Sequence, residues 1–104
     1  MAKYIYVIKH TEGWYDDYDD QSILTEAFID ENDAMNYCDK LCSSAIKRRH
    51  DWDIEDGETP VLEQGIWRGN RLTLYQSRND EHFDWNNDPI ERDHWEVIRM
   101  NLHN

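Results

Sequence analysis

The chain lacks any apolar run long enough to cross a bilayer. Its opening segment, MAKYIYVIKH, turns polar after a handful of residues, so neither a signal peptide nor a transmembrane span is expected, and the protein is expected in the cytoplasm. Cysteine is scarce. Cys38 and Cys42 sit four apart in a helical pattern, a poor disulfide framework, so reduced thiols are expected. The four glycines include no phosphate-loop spacing, and no internal repeat or low-complexity tract interrupts the chain. Basic residues are few: 11 Lys and Arg face 23 Asp and Glu, a formal charge of −12. That shortage excludes direct binding to DNA, RNA or an anionic membrane, each of which needs a cationic patch.

What is present is acid and aromatic rings. A mean hydropathy of −1.02 with this charge would ordinarily read as disorder. Five Trp, six Tyr and two Phe argue otherwise, because hydropathy scales score Trp and Tyr as polar although each ring can bury roughly 150–250 Å². At 104 residues the chain is expected to form one acidic domain spanning residues 1–104, with a modest core.

Tyr4 to Ile8 is β-branched and aromatic, short, and apolar on both faces, as a central strand would be. Thr11 to Gln21 is polar and acidic and reads as a long loop before a second strand at Ser22 to Ile29. Asp30 is a good N-cap, and Ala34, Tyr37, Cys38, Leu41, Cys42, Ala45 and Ile46 follow at the i, i+3, i+4, i+7 spacing of an amphipathic helix. Lys47, Arg48, Arg49 and His50 suit the negative end of its dipole, which predicts a helix of about 16–18 residues followed by an acidic connection over residues 51–60. VLEQGIWRGNRLTLYQ reads as two short strands meeting at Gly69-Asn70. Ser77 to Arg92 reads as a second long loop, and His94 to Leu102 as a last half-buried strand. The expected fold is α+β: an antiparallel sheet of four to five strands with one amphipathic helix packed on one face.

Chemistry-bearing patterns are weak. Asp51, Asp53 and Glu55 occupy positions 1, 3 and 5 of a calcium loop, but Asp56 and Leu62 stand where Gly and Glu are required. Cys38 and Cys42 lie on the stripe facing the sheet, so they read as small core residues and not as metal ligands. His10, His82, His94 and His103 lack paired spacing, and the serines have no nucleophile-elbow context. Paired-carboxylate hydrolysis needs a deep pocket that a one-helix domain has little room for. No catalytic residue, metal or cofactor is expected, and the chain is read as not an enzyme.

The acids themselves are grouped. Glu12, Asp16, Asp17, Asp19 and Asp20 form one basic-free group, and Asp51, Asp53, Glu55, Asp56, Glu58 and Glu63 another. In an extended segment Asp51, Asp53 and Glu55 would point one way about 6.5–7 Å apart. Trp14, Tyr15, Tyr18 and Trp52 are interspersed, offering rings for grip beside acids for steering.

YIYVIKH, the acidic loop, FIDENDAMNYCDKL and DHWEV together resemble small uncharacterised phage and bacterial proteins, over residues 4–46 and 93–98. That resemblance implies a strand-strand-helix start. The composition is also similar to that of phage anti-defence inhibitors, including anti-CRISPR proteins and DNA mimics, which implies a location in the host cytoplasm. The expected function is thus a non-enzymatic inhibitor that mimics nucleic acid and occupies a basic groove of a nucleic-acid-handling or defence protein. Steering is expected from Asp16, Asp17, Asp19, Asp20, Asp51, Asp53, Glu55 and Asp56, and anchoring from Trp14, Tyr15, Tyr18 and Trp52. The alternative is a structural domain whose acidity serves solubility and which homodimerises through a sheet edge.

Overall fold

The computed structural model describes residues 3–14, 17–59, 61–77 and 89–102, with residues 13, 14 and 17–21 described at the backbone alone. In chain order the elements are β1 (Tyr4–Trp14), β2 (Asp17–Phe28), α1 (Glu31–Glu55), β3 (Glu63–Arg68), β4 (Arg71–Gln76) and β5 (Ile90–Asn101). The strands form one antiparallel sheet in the order β2-β1-β5-β4-β3, and α1 packs on one of its faces. The α+β arrangement inferred from the sequence is the one found. β1 is an interior strand, but the centre of the sheet belongs to β5.

Three expectations are corrected. The polar stretch from Thr11 to Gln21 is not a long loop: β1 runs to Trp14 and β2 starts at Asp17, with Thr11 paired to Gln21 and Glu12 to Asp20. Pairing on both sides of β1 overrides the weak strand propensity of these residues, since Glu12 also lies opposite Asp93 of β5. Tyr15 and Asp16 fall outside the described residues. Secondly, α1 has 25 residues and ends at Glu55, so most of the expected acidic connection is helix and the extended row of Asp51, Asp53 and Glu55 does not exist. Thirdly, β5 begins at Ile90, which takes Ile90 to Arg92 out of the second expected loop; residues 78–88 of that loop lie outside the description.

Both ends of α1 follow from local chemistry. Asp30 is the N-cap, its carboxylate accepting from the Asn32 N–H at 2.7 Å. At the other end Gly57, with φ 75°, closes a Schellman motif: its N–H donates to the Ile54 carbonyl and the Glu58 N–H to the Asp53 carbonyl. The helix passes beyond Lys47–His50 because acids four residues on pair with these bases, Lys47 with Asp51 at 2.8 Å and Arg49 with Asp53 at 3.4 Å. No basic residue remains in its last turn.

The core lies between α1 and the sheet, built by Ala34, Cys38, Cys42 and Ala45 against Ile8, Leu72, Leu74, Trp95 and Val97. Small residues on the helix stripe let α1 approach the sheet closely, and Gly65 of β3 completes the fit. A Cβ there would meet the Cys42 Sγ at 2.8 Å and Leu72 Cδ1 at 3.2 Å. The β3–β4 turn has Gly69 at φ 62°, as the Gly-Asn signal required, and Asn70 ties it to β5 by donating from its side chain to the Val97 carbonyl at 2.8 Å.

Burial leaves both thiols protonated. It pushes Cys38 up to about 12 and Cys42 up to about 11. The charge of Asp39 adds to both, those of Glu63 and Asp93 add at Cys42, and Arg92 opposes them there. At pH 8 the folded protein is expected to resist iodoacetamide while the denatured protein takes up two equivalents, read by intact mass. Because each folded value exceeds the unfolded one, near 8.5, the thiols' contribution to stability is whole below about pH 8.5. It declines as pH rises toward the folded values. A urea midpoint that stayed level from about pH 8.5 to 10.5 would contradict this.

Candidate functional site

The described residues of the two acidic groups found in the sequence lie at one end of the sheet by their backbone positions. β1 ends there, β5 begins there, and the same end holds the start of β3 and the finish of β4. β1 reaches Trp14 and β2 starts at Asp17 at this same end. α1 points its C-terminus the same way, since Asp53 accepts from the Val61 N–H, just ahead of β3, at 3.3 Å. The N-terminus of α1 is at the opposite end, where Glu31 shares a cleft with Tyr6, Asn70, Val97 and Arg99.

The expected site residues divide. Trp14, Asp17, Tyr18, Asp19 and Asp20 are placed in the hairpin by their backbone, while Tyr15 and Asp16 lie outside the described residues. In the second group Trp52 is 58% exposed, and Glu55 and Asp56 follow it at i+3 and i+4, so ring and carboxylates share one face. Asp51 is exposed but engaged by Lys47, whose hydrogen bond holds its carboxyl below the usual range. Asp53 turns inward: it is 4% exposed and serves Arg49 and the Val61 N–H, so its carboxylate is part of the fold. One neighbour escaped the sequence reading, Ile54 at 56% exposed, and Glu58, counted in the acidic group, was not among the expected site residues. Gly57 was the available signal, because a glycine just past an acidic turn marks a helix end as well as it marks a loop. Together Arg49, Trp52, Asp53, Glu55, Asp56 and Glu58 line a shallow cleft of about 200 Å³.

Beneath this end lies a buried charged cluster. Between Leu74 and Tyr75 the β4–β5 register shifts, a bulge at Arg92. The Arg92 Nη1 donates to Glu63 Oε2 at 2.7 Å, and its Nε lies 4.0 Å from Asp93 Oδ2. Glu63 is sealed, its side chain 1% exposed, and it also accepts from Gln76 Nε2 at 3.4 Å. His10 stacks on Trp95, rings 4.9 Å apart and 3° from parallel, with its Nε2 3.7 Å from Asp93. These contacts join β1, β3, β4 and β5 under the acidic end. With both thiols held far above neutral pH, Cys42 beside the cluster is not a nucleophile at pH 7.

Among the described residues no three His, Cys, Asp or Glu side chains gather to hold a cation. No helix among them is long and apolar enough to cross a membrane. Comparison with known proteins gives no matching family model, no similar curated protein and no similar solved structure.

Proposed function

We propose that the protein is a non-enzymatic acidic binding protein that presents one end of its sheet to a basic groove of a nucleic-acid-handling protein, as a phage-type inhibitor mimicking nucleic acid would. The observation that carries this reading is the convergence of two acidic groups, more than thirty residues apart in sequence, on the end where Trp52 stands exposed. The local electrostatics support it. Glu55, Asp56 and Glu58 crowd the negative end of the α1 dipole with no base in the last turn, an arrangement that costs roughly 0.3–1 kcal/mol per charge. Acids placed there oppose folding, and their field adds to that of the dipole for a cationic partner.

The test exploits that opposition. Glu55→Lys with Glu58→Lys is expected to raise the thermal midpoint by a few degrees. The same pair is expected to weaken a captured partner about tenfold, through slower association and a flatter salt dependence. Capture from nuclease-treated bacterial cytosol at low salt, with competition by duplex DNA, supplies the partner. Retention that ignored salt, DNA and the double reversal would refute the reading.

A further inference from the structure

We propose that the sheet face opposite α1 is a second docking surface, whose occupant is an amphipathic helix with acidic flanks on another protein. The register defines this face. Ala27, Val7 and Ile98 lie side by side across β2, β1 and β5, Ile5 lies beside Met100, and Ile23 beside Lys9. Ile23 is 56% and Met100 49% exposed, and no element among the described residues packs on them. The face is not open throughout, since Thr11, Thr73 and Tyr75 toward the acidic end are buried. The open part is an apolar stripe flanked on its β4–β3 side by a groove of about 320 Å³ containing Arg68, Arg71 and Glu96.

Size and charge select the occupant. Three strands at about 4.8 Å spacing and five residues of β1 at about 3.3 Å rise give a stripe about 10 Å by 13 Å between backbone positions. That is far below the ~800 Å² per partner of a stable dimer, and it matches the ~10 Å width of one helix. Among the residues whose side chains are described, charge on this face runs against the whole. Lys9, Arg68 and Arg71 stand on it with Glu91 and Glu96, Arg71 pairing with Glu96 at 3.1 Å, whereas Glu26, Asp30, Glu31, Asp33 and Asp39 belong to the α1 side. The Debye length is about 8 Å at physiological ionic strength, so acids beyond the sheet are largely screened from this face. A second copy, also at −12, is the less favoured occupant. A single-stranded nucleic acid would want stacking rings, and Tyr75, the aromatic ring set on this face among the described residues, is 6% exposed.

The probe is a synthetic helical peptide of about four turns with a Leu stripe and Glu flanks, titrated into the full chain by methyl and amide NMR. A peptide with Lys flanks is the control. Expected are shifts at Ile5, Val7, Ile23, Ile98 and Met100, with the Glu peptide binding at least about tenfold tighter than the Lys peptide. Arg68→Glu with Arg71→Glu should reverse that preference. Ile23→Glu, at an exposed position, should remove the shifts while α1 amides stay in place. The proposal is overturned by shifts confined to α1 or absent at millimolar peptide, by equal binding of the two peptides, by the same shifts on concentrating the chain alone, or by tighter binding to anionic lipid vesicles.

Discussion

Arg92→Met is expected to lower the folding stability by about 3–5 kcal/mol, because it removes the cation that compensates a sealed carboxylate. Glu63 is 1% exposed at its side chain and meets Arg92 at 2.7 Å; Gln76, at 3.4 Å, supplies a neutral donor only. Methionine fills much the same space, so the loss reports on charge more than on volume. Adding Glu63→Gln should recover most of it, since a neutral amide needs no counterion. Urea denaturation of both variants at neutral pH decides it, and a loss under about 1 kcal/mol would show that Glu63 reaches solvent after all.

Trp95→Ala should cost about as much, roughly 3–5 kcal/mol, by a different route. Trp95 is 3% exposed in the central strand, opposite Leu72 of β4 on one side and His10 of β1 on the other. Removing the indole leaves a cavity under α1 and takes the stacking surface from His10, the ring that approaches Asp93. For a domain whose whole stability is of order 5–15 kcal/mol, such a loss brings the chain to the edge of unfolding at 37 °C. Trp95→Phe keeps part of the ring and should cost less than half as much, read from chemical denaturation at 25 °C. Equal losses for Ala and Phe would mean that the indole's area is not what holds the centre of the sheet.

Legibility varied with the physics behind each signal. The helix was readable from Asp30 onward because capping and a one-sided apolar stripe are local. Its true end was hidden, because Lys47, Arg48, Arg49 and His50 look like a terminus until Lys47 and Arg49 are seen to pair with Asp51 and Asp53 a turn later. The Gly69-Asn70 turn was local too, and was found where it was expected. The reach of β1 and β2 past residue 11 was not, since strand pairing is a non-local interaction that overrides the preference of Glu12 or Asp17 for a loop.

Composition and local spacing were enough for the acidic character of the chain, the pair of thiols on the helix stripe, the α+β class and the start of α1. Each of these rests on counts or on spacings within a few residues. Long-range contacts bring the described residues of the two acidic groups to a shared end, turn Asp53 inward while Trp52 and Glu55 stay out, and set Lys9, Arg68 and Arg71 in a row across the face opposite α1. Those outcomes depend on sheet order, on register and on where a helix stops, and these are set by contacts between residues far apart along the chain.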